Sequence, residues 1–147
     1  MQDRPEVEAS FDAGVPNELK SRIRFQAYDF FTPQPVKHAD IYMLKNILHD
    51  WSDEWAARIL KQTVPVMRPD SRIVLVEGLI PAPGAAPPSI VRMMAALDMH
   101  MLIGNAKERS IQDWGKLAKL ADERLVVKTA TQPPGIAFAV IEIGFAE

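Results

Sequence analysis

Residues Arg72 to Leu79 read Arg-Ile-Val-Leu-Val-Glu-Gly-Leu, a near-continuous run of aliphatic residues. A strand with one wet face alternates apolar and polar residues; this one does not, so it predicts a strand buried on both faces. Such a strand needs layers above and below it. Further strand-like segments are Asp40 to Leu44, Leu125 to Ala130 and Ile136 to Phe145, with a loosely alternating Arg22 to Tyr28 ahead of them. Helical patterns fall between the strands, and that alternation predicts an α/β layered domain around a largely parallel sheet.

The helices are well signalled. Ser52 reads as an N-cap, with Asp53 and Glu54 in the positive first turn. Trp55, Ala56, Ile59, Leu60 and Thr63 then form one face, and Pro65 ends or kinks the helix. Ser89 to Ile103 is apolar nearly all round, which predicts a buried helix. Ser110 with Asp113 resembles a capping box ahead of Trp114, Leu117, Ala118 and Ala121. Pro81 to Pro88 is the one linker-like stretch, and eight residues make a loop, not a domain boundary. One domain over residues 1–147 is expected.

Composition narrows the function. A net charge of -2 with no basic stripe argues against nucleic acid. The absence of cysteine removes disulfides, zinc-cysteine sites and thiol nucleophiles together. His38, His49 and His100 are scattered, so no metal site is expected. The first residues lack a basic and an apolar signal region, and no apolar run is long enough for a membrane helix. The expectation is a soluble, cytoplasmic protein.

In open α/β sheets, ligands bind at the carboxyl ends of the strands. Asp29, Lys45, His49 and Glu77 fall at such ends, and Glu108 lies in the loop after the apolar helix.

The residues that gather there also resemble a family. Asp29-Phe30-Phe31-Thr32-Pro33-Gln34-Pro35, then Lys45-Asn46-Ile47-Leu48-His49-Asp50-Trp51-Ser52-Asp53-Glu54, then Lys107-Glu108-Arg109 look like S-adenosylmethionine-dependent O-methyltransferases. The resemblance is to the plant caffeate/flavonoid type and its fungal secondary-metabolism relatives. It spans nearly all of this chain and corresponds to the later part of that family's catalytic domain. It implies a Rossmann-like methyltransferase sheet with helices on both faces, in strand order 3-2-1-4-5-7-6.

The resemblance also implies roles. S-adenosyl-L-methionine is the cofactor, and a small aromatic or phenolic molecule is the substrate. Asp3 takes the ribose hydroxyls, Asp29 and Phe30 hold the adenine end, and Lys45 contacts the cofactor. His49 is the general base, flanked by Glu77 and Glu108. Leu97, Met101 and Asn105 lie along the substrate pocket. The full-length family form is a homodimer through an additional helical domain.

The chemistry is coherent. A phenol titrates near ~10 and is a poor nucleophile at neutral pH until a base removes its proton. Histidine suits that task, and a carboxylate beside it fixes the ring and stabilises the imidazolium. Glu77 and Glu108 both qualify as that carboxylate.

Two departures stand out. The family's Gly-x-Gly-x-Gly loop is absent, since the closest two glycines, Gly78 and Gly84, are six apart. Strand 1 and most of strand 2 of the family order also have no counterpart after Met1. The expected consequences are an incomplete sheet, Arg22 to Tyr28 without a neighbour, Asp40 to Leu44 as an apolar edge, and no turnover by the chain alone. Two other readings stay open: a non-catalytic module needing a partner chain, and a methyltransferase-fold enzyme of another reaction type.

Overall fold

The computed structural model describes residues 1–133 and 138–146. Its strands are β1 (Gln2–Asp3), β2 (Gln26–Ala27), β3 (Ile41–Lys45), β4 (Arg72–Ile80), β5 (Arg109–Ser110), β6 (Leu125–Thr131) and β7 (Phe138–Phe145). Its helices are α1 (Glu8–Gly14), α2 (Asp53–Thr63), α3 (Pro88–Met101) and α4 (Ile111–Ala121). Ile136, where the last strand was expected to start, lies outside the described residues.

The apolar run became β4, the strand that joins the main sheet. Its neighbours are β3 on one side and β7 on the other, and the order is β3-β4-β7-β6. β3 runs parallel to it, from Ile41 opposite Arg72 to Lys45 opposite Val76. Beyond the shared region, Leu79 and Ile80 pair in parallel with Arg109 and Ser110. β7 runs antiparallel to both β4 and β6. The sheet is therefore mixed, not largely parallel. Only six residues separate Thr131 from Phe138, and a parallel crossover needs a dozen or more.

Ile73, Leu75, Ile141 and Ile143 form one face of this sheet and are fully buried. α2 and α4 cover that face, contributing Ala56, Ile59, Leu60, Trp114, Leu117 and Ala118 to one core. The α4 capping box is present, with Ser110 Oγ accepting from Asp113 N and Asp113 Oδ2 accepting from Ser110 N. Ser52 does precede α2, but its hydroxyl makes no capping bond. Trp55 departs from the expected apolar face and is 42% exposed. It sits at the margin of the stripe, 5.3 Å from the Phe31 ring and 4.2 Å beneath the Arg58 guanidinium.

Two expectations are corrected. α3 buries only Met94, while Val91, Met93 and Met99 face outward. An apolar pattern all round a helix reports what could be buried, and a helix lying over one strand buries only one line of side chains. The segment from Arg22 does not lack a neighbour: Gln26 and Ala27 pair in parallel with Gln2 and Asp3. The strand is only two residues long, because Leu19 to Ile23 is a tight turn closed by Arg22 N and Ile23 N on Leu19 O. Ile41 and Met43 on β3 are exposed, as expected of an apolar edge. No helix among the described residues is long and apolar enough to cross a membrane.

The two serines make a test of these caps. Ser110→Ala is expected to lower the unfolding free energy by about 1 kcal/mol. Ser52→Ala, whose hydroxyl makes no cap bond, is expected to lie within about 0.5 kcal/mol of the parent. Urea unfolding of both variants measures the difference.

Candidate active site

The site is assembled at the carboxyl ends of β3 and β4. β3 stops at Lys45, and Asn46 then takes a left-handed conformation with φ 51°. Asparagine tolerates that region better than most residues, so the chain can reverse sharply there. Asn46 N stays bonded to Val76 O at 3.0 Å. The next two amides, Ile47 N and Leu48 N, both donate to Glu77 Oε1, at 3.0 and 2.8 Å. One short 3-10 turn, Leu48–Asp50, follows and presents His49.

Of the two carboxylates the sequence offered, only Glu108 meets the imidazole. Its Oε1 lies 3.1 Å from His49 Nδ1. An ionised carboxylate only accepts, so this contact calls for a proton on Nδ1. Nε2 lies on the open side, 3.5 Å from the exposed Asp50 carboxylate. Glu108 is itself buried and held through its backbone, with Glu108 N donating to Asp98 Oδ1 of α3 at 2.9 Å.

Glu77 has a different task from the one expected. It is fully buried and braces the backbone ahead of His49 rather than the ring. Its second oxygen and that of Glu108 have no hydrogen-bond partner among the described residues. Burial pushes the Glu77 carboxyl up, the Leu48 and Ile47 amides and His49 draw it down, and Glu108 adds repulsion; the net direction is upward. Asp53 goes the other way. Burial alone would raise it, but hydrogen bonds from Lys107 and Arg109 prevail and hold it below the usual carboxylate range.

Gly78 explains how Glu108 gets close. A side-chain carbon at this position would lie 2.2 Å from Glu108 Oε2. The absence of a side chain is what lets the carboxylate lie over β4.

A cleft of about 600 Å³ adjoins this turn, between β1 and β3. Asp3, Phe30 and Lys45 line it, together with Gln2, Met43 and Leu44. Asp29 does not line it. Its Oδ1 accepts from Phe31 N at 2.9 Å, so the carboxylate shapes the turn that presents the two phenylalanines. Leu97 and Met101 are half-buried on α3, and Asn105 is exposed in a left-handed turn just past it, with φ 56°. No group of three or more His, Asp or Glu side chains among the described residues could hold a metal ion.

Sequence reading missed Arg109, Asp53 and Asp98. Arg109 and Asp53 lie in quoted motifs and Asp98 in none, and which side chains the fold sets against the turn was not visible.

Comparison with known proteins supplies the wider setting. The model of an O-methyltransferase domain matches residues 2–122. O-methyltransferase pgmB of Aspergillus terreus is 42% identical over 149 residues, covering 97% of this chain and 34% of that protein. LepI, solved in complex with SAM, superposes with a TM-score of 0.86 at 31% identity, covering 99% of this chain and 35% of that one. A structure described as a pericyclic reaction enzyme superposes equally well, with a TM-score of 0.86 at 31% identity and the same coverage, 99% and 35%. The chain thus spans about a third of the length of these relatives. A shared fold hosts more than one chemistry, and the side chains of the site decide which.

Two substitutions test this geometry. Gly78→Ala is expected to leave the protein folded and drive the flexible Glu108 carboxylate off His49; NMR of the His49 ring reads the lost contact. The raised Glu77 carboxyl gives a signed pH effect. The folded state binds that proton more tightly than the unfolded state. Its stabilisation is therefore complete below the ordinary value of 4.5 and is lost as pH rises through the raised one. Glu77→Gln is expected to remove that decline, gaining stability relative to the parent as pH rises above 4.5. Urea unfolding across that range measures it.

Proposed function

This chain belongs to the O-methyltransferase family, and on that footing we propose that its site deprotonates an aromatic or polyketide-like hydroxyl for S-adenosylmethionine-dependent methylation. The observation that carries the reading is the His49–Glu108 pair, 3.1 Å apart, with Nε2 left on the open side. Support for the cofactor comes from the cleft beside it. A carboxylate (Asp3), an aromatic ring (Phe30) and apolar walls (Met43, Leu44) suit a nucleoside with hydroxyls and a flat base. When bound, the cofactor supplies an electrophilic methyl on a sulfonium.

His49 Nε2 takes the hydroxyl proton. The oxygen so freed would be the nucleophile for the cofactor's methyl, with S-adenosylhomocysteine as the leaving group. The charge that develops on the imidazole faces Glu108, and the proton passes to solvent afterwards. Glu108 also fixes the tautomer, so the base is ready before the substrate arrives. Lys45, at the end of β3, lines the cleft and offers the cofactor a cation. Leu97 and Met101 offer apolar, adaptable contacts for a flat substrate, and Asn105 a polar one.

Because no turnover is expected of the chain alone, methyl-transfer assays with isotope-labelled cofactor test this in a chimera that carries the family's Gly-x-Gly-x-Gly loop ahead of residue 1. His49→Asn is expected to lose about 10²- to 10⁴-fold in rate, with binding of S-adenosylhomocysteine retained. Glu108→Gln is expected to fall between the two. An undiminished rate in His49→Asn would overturn the assignment.

A further inference from the structure

The Lys107-Glu108-Arg109 tripeptide gives the proposed reaction one side chain, Glu108. Arg109 is the more unusual residue. It is fully buried, yet it is charged. Taking a guanidinium out of water costs several kcal/mol before its partners offset it. Its place in the fold explains the burial: it stands on β5, paired with Leu79 of β4, and stacks 5.1 Å over the Trp114 ring.

Its hydrogen bonds converge on one object. Nη1 donates to Leu48 O at 2.8 Å, and Nη2 donates to Trp51 O at 2.7 Å. These two carbonyls bracket His49 and Asp50 in the chain. Nε donates to Asp53 Oδ1 at 2.9 Å, at the first residue of α2. Lys107 adds a backbone bond from its N to His49 O at 3.1 Å.

Charge balance alone does not account for this. Asp53 is 42% exposed and already holds Lys107 Nζ at 2.6 Å. An exposed carboxylate with one cation does not require a second, buried one. Filling the space over Trp114 does not account for it either, since an apolar side chain does that at lower desolvation cost. What only a planar guanidinium supplies is a rigid fork of donors that reaches two carbonyls and a carboxylate at fixed angles.

We infer that Arg109 is a positioning residue for His49: its guanidinium fixes the Leu48–Trp51 turn so that Nδ1 meets Glu108 and Nε2 stays open. Glu77 holds the entry to this turn by its amides, and Arg109 holds it by its carbonyls. The importance of the turn rests on the proposed role of His49 as base. The geometry itself is tested without cofactor, substrate or turnover, so its failure is separable from a failure of that reading.

The test is NMR of the ¹⁵N-labelled chain at about pH 8, where an ordinary imidazole is neutral. Two-bond proton–nitrogen spectra report which ring nitrogen is protonated, and His38 and His100 serve as internal comparisons. In the parent, His49 is expected as a single tautomer protonated at Nδ1. Arg109→Lys keeps the charge and loses the fork. It is expected to lose the single tautomer and show a mixture, while the amide signals of α4 stay in place. An unchanged single tautomer in a folded Arg109→Lys protein would overturn the inference. A second reading uses the parent alone, in case that variant does not fold. The Arg109 Nη1 and Nη2 groups are expected as separate, exchange-protected resonances; one averaged signal would overturn the inference.

Discussion

Everything in the site depends on the pairing of β4 with its neighbours. β3 and β7 fix its length and twist, and β5 joins it only at the far end. That end carries Glu77 and Gly78 in succession. Successive strand residues point to opposite faces. One backbone position therefore supplies a carboxylate to the turn after β3, and the next supplies the empty space into which Glu108 fits. The two-residue β5 brings Arg109, and Glu108 just ahead of it, to the same place because Leu79 pairs with Arg109. The site is thus the meeting point of two parallel strand ends and one short edge pairing.

Three charged side chains, Glu77, Glu108 and Arg109, are buried within this small volume. Two of them are carboxylates with one unpartnered oxygen each among the described residues. Such groups are poor means of stabilising a fold. Their partners show what they do instead. Glu77 satisfies amides that a sharp reversal at Asn46 leaves without strand partners, Arg109 satisfies carbonyls on the other side of the same turn, and Glu108 orients a ring. The hydrophobic core, between the sheet and the α2–α4 pair, reaches the site at Leu48 and at Trp114 beneath Arg109, so the turn is tied to the core as well as to these charges.

Much of this was legible in the sequence. The run at Arg72 read as a strand because it is aliphatic throughout, but burial on both faces overstated it: Ile73 and Leu75 are fully buried, while Val74 and Val76 on the other face are half-buried. The Ser110–Asp113 cap read correctly because it is a local pattern, with both partners three residues apart. The motif around His49 singled out the turn after β3 because family likeness is carried by consecutive residues. What was not legible depended on distant neighbours. Nothing in the residues of α3 says which of its apolar faces another layer covers. Nothing in Glu77 and Glu108 says which one reaches the ring, since one lies toward a strand end and the other in the loop after the apolar helix, both far from His49 in the chain. The mixed direction of the sheet followed from a short connection before β7, a matter of length rather than of residue type. Asp29 looked available for a ligand, yet its carboxylate is bonded to the backbone two residues on, a habit of aspartate in turns.

The central claim is that His49 Nε2 is the proton acceptor for a bound hydroxyl. A crystal structure of the chain with S-adenosylhomocysteine and an aromatic hydroxyl compound tests it most directly. The account predicts the hydroxyl oxygen at about 2.6–3.2 Å from His49 Nε2, with Nδ1 still on Glu108. A hydroxyl seated against another group, with no path to Nε2, would contradict it.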